Sequence, residues 1–324
     1  MKAKQNNEIV IFGMENSQDL ANKIGEHLNM PIVPVQKIKF ADGEELLYSN
    51  EVVRNKTVFV ICNTGKPVND NLMGLLIFID SLKRASAKAI IVVMTYYGYA
   101  RQDRKASGRQ PITAKLVADL LTVAGATKII TTDLHNPSIQ GFFNIPVDDL
   151  GGQFIFSNEL RKRKENYVIV SPDHGGAVRA RQLSELLMHD EEIAIIDKRR
   201  TAPNKSEIMG VLGNVEGKNV IVYDDIIDTG GTIINAARIL KQRGAKKIII
   251  AATHGLFSRG FQMFEDEAII DEVIVSDSTN HDDIAHFSKL KVISMAHFLS
   301  LVIGANINKT SITEVYDAFS KGIV

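Results

Sequence analysis

The sequence predicts an α/β protein in which mainly parallel sheets are flanked by helices. Short β-branched runs alternate with helical patterns along most of its 324 residues. This alternation is typical of parallel sheets, because each helical crossover returns the chain to the start of the next parallel strand. A chain of this length is expected to form two domains, each large enough for its own core.

The individual elements follow from the positions of the apolar runs. The expected strands, in chain order, are 9–12, 58–62, 89–94, 128–132, 168–171, 193–197, 219–223, 247–252 and 272–276. Helical patterns lie between them, and Gly125 and Gly244 are well placed to end the helices predicted at 114–124 and 233–243. The stretch 148–152 separates two similar series, so the domains are assigned to 1–148 and 149–324.

The composition excludes several classes of protein. With 38 basic and 38 acidic residues the net charge is zero, which gives no argument for a nucleic-acid or membrane partner. Apolar runs such as 89–94 are too short to span a bilayer. The single cysteine, Cys62, excludes an intrachain disulfide, and no signal peptide is visible. A reducing, cytoplasmic location is therefore expected.

The segment 220–232 carries the strongest chemical signal. After its β-branched run come the polar and small residues Asp224, Asp225, Asp228, Thr229, Gly230, Gly231 and Thr232. Small residues between a strand and a helix let backbone N–H groups converge on an anion, and glycines permit close approach. Paired carboxylates would repel a phosphate but suit sugar hydroxyls or a divalent cation. The segment predicts a site for a phosphorylated sugar; the alternative is an ordinary acidic turn with a glycine cap.

A second segment, 171–181, repeats this pattern. The strand predicted before it runs into Asp173 and two glycines, and the helix that follows carries Arg179 and Arg181. Backbone donors and the helix dipole form a second anion cradle, and Asp173 could ligate Mg²⁺ at its edge. Two cradles in one domain suit a pentose phosphate with a diphosphate at its other end. Each arginine could equally be a solvated helix residue.

Four further features can each be interpreted as structural or as part of a binding site. His135 follows a predicted strand, where a lone histidine is more often a satisfied polar residue than a ligand. Asp42 and Gly43 by themselves indicate a hairpin turn. Tyrosines beside cations in 96–105 could stack on nucleic acid, but the zero net charge favours a nucleotide site. The cations of 198–200 fit either a solvated face or a lid over phosphates.

Together these segments resemble the ribose-phosphate diphosphokinases, which have the type I phosphoribosyltransferase fold. The resemblance runs from about Glu8 to about His297. It implies two phosphoribosyltransferase-like domains, with part of 290–310 packing back on the N-terminal one. It also implies transfer of the diphosphoryl group of ATP to the C1 hydroxyl of ribose 5-phosphate, with Mg²⁺ as cofactor. The products are phosphoribosyl diphosphate and AMP, and the pathway served is nucleotide biosynthesis.

The resemblance assigns roles to individual residues. It makes Lys198 and Arg200 the catalytic cations and His135 and Asp173 the metal ligands. Ribose 5-phosphate is assigned to Arg200, Asp224, Asp225, Asp228, Thr229, Gly230, Gly231 and Thr232. The diphosphate loop is Asp173, His174, Gly175 and Gly176, with His174 expected to be structural. ATP is assigned to Phe40, Asp42, Gly43, Glu44, Arg101 and Gln102.

Assembly and regulation are also implied by the resemblance. In this family the segment at 40–44 comes from a neighbouring subunit, so a homo-oligomer is expected, a hexamer by family. Thr201 and Ala202 replace the proline and the arginine usual in the lid, which bears on rate or lid stability. The stretch 308–316 also departs from the usual pattern, which suggests the hypothesis of weakened inhibition by ADP.

Three alternative functions compete with this interpretation. A phosphoribosyltransferase would explain 224–232 but neither the length of the chain nor the ATP segments. A non-catalytic regulatory paralogue tends to lose the acids and the lid cations, and these are present here. A ligand-sensing transcription regulator would need a DNA-binding appendage and a basic face, and the sequence shows neither.

Overall fold

A computed structural model describes residues 8–187, 192–202 and 205–323, and for 198–202 and 205–209 it describes the backbone alone. The chain divides into two compact units between Gly151 and Gly152, within the stretch predicted as the boundary. The N-terminal unit also includes Ser278–Asn280 and Met295–Ile312. The remaining described residues form the C-terminal unit.

The N-terminal unit contains a parallel sheet, as predicted. Its strands are β1 (Ile9–Gly13), β2 (Ile32–Pro34), β3 (Gln36–Lys39), β4 (Glu45–Tyr48), β5 (Thr57–Cys62), β6 (Ala89–Met94), β7 (Lys128–Thr132) and β8 (Val147–Leu150). The sheet has the order β2-β1-β5-β6-β7-β8, while β3 and β4 form a separate antiparallel hairpin.

The C-terminal unit contains a second sheet. Its strands are β9 (Tyr167–Ser171), β10 (Ala194–Ala202), β11 (Lys205–Leu212), β12 (Asn219–Ile227), β13 (Ile248–Gly255), β14 (Glu272–Ser276) and β15 (Leu290–Ile293). Their order is β11-β10-β9-β12-β13-β14-β15, and only β10 and β11 pair antiparallel. The α/β class predicted from the sequence is confirmed.

Helices lie between successive strands along the chain, and two further helices follow β15. They are α1 (Gln18–Leu28), α2 (Val68–Arg84), α3 (Thr113–Ala124), α4 (Gln153–Leu160), α5 (Ala177–Leu186), α6 (Gly231–Gln242), α7 (Gln262–Glu265), α8 (Ala296–Asn308) and α9 (Ile312–Ser320), with short 3-10 turns at Glu15–Ser17 and Pro137–Phe142. No helix among the described residues is long and apolar enough to cross a membrane.

Helix α8 completes the core of the N-terminal unit although it comes late in the chain. It packs against α1, and its side chains Phe298, Leu299, Val302 and Ile303 are buried. Burial of such side chains is worth about 1.5–3 kcal/mol each. The N-terminal unit therefore depends on a C-terminal segment for part of its apolar contacts.

The two sheets share one connection pattern once β11 is set aside. In the C-terminal unit, β9 connects through α5 to β10 on one side, and β12 connects through α6 to β13 on the other. The N-terminal unit repeats this pattern with β1, β2, β5 and β6. Where neighbouring strands send their crossovers in opposite directions, a crevice opens at their carboxyl ends, and ligands bind there. In the C-terminal unit this crevice lies between β9 and β12.

Strands β12 and β10 both extend several residues further than the sequence pattern predicts. Strand β12 continues to Ile227, because it keeps pairing with β13 beyond the predicted end at Tyr223. Asp224 and Asp225 therefore lie within a strand and not in a loop, which corrects the prediction. Strand β10 likewise continues to Ala202, beyond the predicted end at Asp197, and pairs antiparallel with β11. Backbone pairing between antiparallel strands needs no apolar run, and for this reason the hydrophobic pattern missed this extension.

Candidate active site

The candidate site in the C-terminal unit lies at the carboxyl ends of β9 and β12. These strands are parallel neighbours, with Val222 opposite Val170. The loop 172–176 leads from β9 to α5, and the loop 228–230 leads from β12 to α6. Both helices begin at this end of the sheet, and the unpaired N–H groups and dipoles of their N-termini favour a bound anion.

The loop 228–230 has a shape that depends on its glycines. Gly230 has φ +79°, and a Cβ there would lie 2.7 Å from Cζ of Phe264. Gly231 opens helix α6, and a Cβ at this position would meet nothing within 4 Å. The first glycine therefore fits the loop against the core, and the second leaves open space before the helix. This open space is compatible with the anion cradle expected from the sequence, which stays a prediction.

A matched pair of substitutions separates these two roles. We expect Gly230→Ala to destabilise the fold by about 1–3 kcal/mol, because the positive φ and the Phe264 ring both oppose a methyl group. Gly231→Ala should change the free energy of unfolding by less than about 0.5 kcal/mol but weaken ribose 5-phosphate binding about tenfold, because its methyl fills the cradle. Urea denaturation and calorimetric titration measure the two effects. Equal stability of both variants would contradict this assignment.

The two acids at the end of β12 share one cation. Nη1 of Arg179, on α5, lies 3.3 Å from Oδ1 of Asp225 and 3.5 Å from Oδ1 of Asp224. The Asp225 side chain is only 6% exposed and that of Arg179 17%. Burial raises the pKa of Asp224 well above its usual value, the neighbouring Asp225 raises it further, and Arg179 opposes both effects. Arg181 is exposed, so the solvated interpretation is right for Arg181 and wrong for Arg179.

The segment 256–264, which follows β13, forms a wall behind the loop, and the sequence interpretation missed it. The backbone N–H of Leu256 donates to the carbonyl of Ile227 at 2.7 Å. Ser258 Oγ donates a short hydrogen bond to Oδ1 of Asp228. The position of this segment at the carboxyl end of the strand next to β12 was the available signal.

The loop 172–176 is held as a turn by its own polar groups. Oδ1 of Asp173 accepts from the N–H of Gly176 at 3.0 Å, and Ser171 Oγ donates to the carbonyl of Asp173 at 2.6 Å. Asp173, His174 and Gly175 are exposed. The ring of His174 places Nε2 2.9 Å from Oδ1 of Asp197 on β10, so its contact is made at the surface and not in the core.

The cations at 198–200, which the resemblance assigns to a lid, lie on β10. In the backbone register Lys198 pairs with Ile208 and Arg200 with Ser206. The side chains of Lys198 and Arg200 lie outside the described part of the structure, so their predicted roles stay predictions.

The segment 40–44 is the tip of the β3–β4 hairpin in the N-terminal unit. The N–H of Phe40 donates to the carbonyl of Glu44 at 2.8 Å, and Gly43 has φ +96°. Oδ1 of Asp42 accepts from the N–H of Glu44 at 3.1 Å. The turn indicated by Asp42 and Gly43 is confirmed. The Phe40 ring is 48% exposed at this tip, where it can stack on a flat ligand.

Tyrosines in 96–105 serve the core and do not form a stacking surface. Tyr96 and Tyr97 are buried, and the Tyr97 hydroxyl donates to the carbonyl of Ala114 at 2.8 Å. This arrangement argues against nucleic-acid stacking by these rings. Arg101 and Gln102 are exposed, and Oε1 of Gln102 accepts from Thr113 Oγ1 at 2.6 Å. Both remain accessible to a nucleotide.

His135 is exposed at the carboxyl end of β7. Its neighbour Leu134 donates its N–H to Oδ1 of Asp149 at 3.1 Å, and Asn136 Nδ2 donates to Oδ2 of Asp103 at 2.7 Å. Among the described residues, no group of three or more His, Cys, Asp or Glu side chains could hold a metal ion. The exposed carboxylate of Asp173 fits Mg²⁺, which takes oxygen ligands and otherwise relies on waters and phosphates, whereas an imidazole is a less usual ligand for it.

Comparisons with known proteins identify the family of the chain. Residues 9–125 match the model of the N-terminal domain of ribose phosphate pyrophosphokinase, and residues 188–317 match the phosphoribosyl synthetase-associated domain. A ribose-phosphate pyrophosphokinase of Mycoplasmopsis pulmonis is 56% identical over 308 residues, which cover 95% of this chain and 96% of that protein. The chain belongs to the ribose-phosphate pyrophosphokinase family.

Further relatives support this membership. A ribose-phosphate pyrophosphokinase of Thermotoga maritima is 49% identical and covers 92% of this chain and 94% of its own. The crystal structure of phosphoribosylpyrophosphate synthetase from Mycobacterium smegmatis superposes with a TM-score of 0.85 at 38% identity, covering 93% of this chain and 99% of that one. The resemblance read from the motifs is confirmed, since diphosphokinase and pyrophosphokinase are two names for one family. Membership makes the chain an enzyme that transfers diphosphoryl groups.

Proposed function

We propose that the chain transfers the diphosphoryl group of ATP to the C1 hydroxyl of ribose 5-phosphate. The products are 5-phosphoribosyl 1-diphosphate and AMP, and the reaction serves nucleotide biosynthesis. The observation that carries the proposal is the open cradle before α6 beside the acids of β12, both at the crevice between β9 and β12. The cradle suits the 5-phosphate, and the acids suit the sugar hydroxyls.

The sugar is held from two sides in this proposal. Backbone N–H groups of 228–232 and the hydroxyls of Thr229 and Thr232 donate to the 5-phosphate. Asp224 and Asp225 accept from the ribose diol, because an ionised carboxylate accepts hydrogen bonds and donates none. The diphosphate loop 173–176 holds the group that arrives at C1. This division leaves the C1 hydroxyl to attack the β-phosphorus of ATP while AMP departs.

Charge is offset by cations, as in other phosphoryl transfers. Lys198 and Arg200 are proposed to stabilise the phosphoryl oxygens as negative charge builds on them. A bound Mg²⁺ would supply further neutralisation of the phosphate charge. Asp173 and His135 are the residues proposed to hold it. No side chain is assigned as an obligatory general base.

ATP binding is proposed for exposed residues of the N-terminal unit. Arg101 would contact phosphate, and Gln102 the purine or ribose. Phe40 would stack on adenine, with Asp42 and Glu44 accepting from its amino group or from ribose hydroxyls. By family, the hairpin tip serves the site of a neighbouring subunit, so we propose a homo-oligomer, a hexamer, in the cytoplasm.

A substitution at the hairpin tip tests the ATP proposal. We expect Phe40→Ala to raise the KM for ATP about tenfold, because stacking of an aromatic ring on a base is worth about 1–3 kcal/mol. The KM for ribose 5-phosphate and the thermal unfolding midpoint should stay unchanged, since the ring is exposed. Ile38→Ala removes another exposed apolar side chain from the same hairpin and is the control. Equal KM values for ATP in the two variants would exclude a stacking role for Phe40.

One assay tests the proposed reaction. The purified full-length chain is incubated with Mg²⁺, ATP and ribose 5-phosphate, and AMP is followed without any nucleobase. AMP and phosphoribosyl diphosphate should form in equal amounts. A phosphoribosyltransferase would produce neither under these conditions, and a regulatory paralogue would stay inactive until a catalytic partner was added. Absence of AMP from the isolated chain would overturn the proposal.

A further inference from the structure

We propose that Arg179 is a positioning residue for ribose 5-phosphate. It acts as an internal counter-ion that keeps the acid pair of β12 oriented until the sugar arrives, and then releases the pair to the diol. The inference rests on the proposed role of Asp224 and Asp225 as acceptors for the ribose hydroxyls.

Arg179 contacts both acids of β12 from helix α5. Arg179 lies in the first turn of α5, which begins directly after the diphosphate loop. Its Nη1 is shared between Oδ1 of Asp225 at 3.3 Å and Oδ1 of Asp224 at 3.5 Å. The same Oδ1 of Asp224 also accepts from the N–H of Asp225 at 2.9 Å. Adjacent residues of a strand normally point to opposite faces, so this bond helps to bring both carboxylates round one cation.

Burial makes the cation necessary. The Asp225 side chain is 6% exposed and that of Asp224 27%, so water screens the two like charges poorly. Two carboxylates in such a place repel each other and turn apart unless a cation lies between them. A side chain that only supports the fold would not need to touch both acids.

The geometry also favours release of the acids. Strong guanidinium–carboxylate pairs are bidentate, with N–O distances of about 2.7–2.9 Å. Here one nitrogen serves two carboxylates at 3.3 Å and 3.5 Å. These two contacts are longer than those of a bidentate pair, so the two O–H donors of a diol can compete with them for the carboxylates.

Two methionine variants test the proposal. Arg179→Met removes the cation and keeps most of the side-chain length, and Arg181→Met makes the same change two residues away at an exposed position. Ribose 5-phosphate is titrated calorimetrically into each full-length variant without ATP. We expect affinity to fall at least about tenfold for Arg179→Met, the scale of one charge-assisted contact, and to stay unchanged for Arg181→Met.

Steady-state kinetics distinguish a positioning role of Arg179 from a purely structural one. The KM for ribose 5-phosphate should rise in Arg179→Met while the KM for ATP stays constant, and Arg179→Lys should recover part of the loss. A variant with unchanged affinity for the sugar and a lower kcat alone would overturn the proposal. If Arg179→Met does not fold, Arg179→Lys in a double-mutant cycle with Asp225→Asn replaces it. Additive losses in affinity would then refute the coupling.

The experiments distinguish an error in the role of Arg179 from an error in the proposed function. If the wild-type chain makes no AMP, the reaction assignment is wrong. If the wild-type chain makes AMP and the two methionine variants bind ribose 5-phosphate equally well, only the role of Arg179 is wrong.

Discussion

Replacing Lys198 with alanine is expected to lower kcat by about 10²–10³-fold, the usual cost of removing one group that stabilises transition-state charge. The KM values for ATP and ribose 5-phosphate should change little, because the proposed interaction strengthens only as charge builds on the transferring group. The measurement is AMP release at saturating substrates.

Arg199→Ala is the matched control for this prediction. It removes the adjacent cation from the same strand, to which the family resemblance assigns no role. Most of the activity should remain in this variant. Near-full turnover by Lys198→Ala would refute a catalytic role for Lys198, and equal losses in both variants would indicate a general effect of lid charge.

Asp224→Asn is expected to have opposite effects on activity and stability. The efficiency kcat/KM for ribose 5-phosphate should fall about 10- to 100-fold, because a neutral amide is a weaker acceptor for the diol than a carboxylate. At pH 7 the thermal unfolding midpoint should rise, because the variant no longer holds a poorly solvated charge beside Asp225. In a protein of this size each kcal/mol relieved raises the midpoint by about 2–4 °C.

The pKa of Asp224 determines at which pH values the Asp224→Asn substitution stabilises the fold. Burial and Asp225 raise the pKa of Asp224 in the folded chain above its usual value of 3.8. The folded state therefore holds this proton more tightly than the unfolded state, and ionisation of Asp224 destabilises the fold at pH values above its folded pKa. The gain from Asp224→Asn should be complete above the folded pKa, shrink as the pH falls from the folded towards the unfolded pKa, and disappear below the unfolded value of 3.8.

Thermal unfolding between pH 4 and pH 8 measures this dependence. Asp283→Asn, at an exposed position of the same unit, should leave the midpoint unchanged throughout. A midpoint for Asp224→Asn that equals the wild-type value at pH 7 would show that the charge carries no such cost. A gain that is undiminished at pH 4 would exclude ionisation as its cause.

The parts of the fold that the sequence predicts are those with a strong local pattern. Strands β6, β7 and β14 have the predicted bounds, because each contains consecutive β-branched residues that are buried in a parallel sheet. The strands β2, β8 and β15, of three or four residues each, were missed, since so short a run at or near a sheet edge carries little hydrophobic signal. The order of the strands also depends on contacts between distant residues, which no local pattern encodes.

The candidate site also has parts that a local pattern predicts and parts that only the tertiary structure reveals. The glycines and acids of 224–232 could be recognised because they lie next to one another in one short segment of the sequence. Arg179 could not be distinguished from Arg181, because only tertiary packing shows which arginine faces the acids of β12. The bond from Ser258 to Asp228 joins residues 30 positions apart, so no local motif contains it.

The position of α8 in the sequence has a consequence for synthesis of the chain on the ribosome. The apolar residues of this helix fill a space against α1, yet almost 270 residues separate the two helices. During translation the N-terminal half therefore emerges with part of its apolar surface still uncovered, and it can close only when the last tenth of the chain has left the exit tunnel. Nascent chains in which α8 is still inside the exit tunnel should accordingly be more sensitive to protease and more dependent on chaperones than chains from which α8 has emerged.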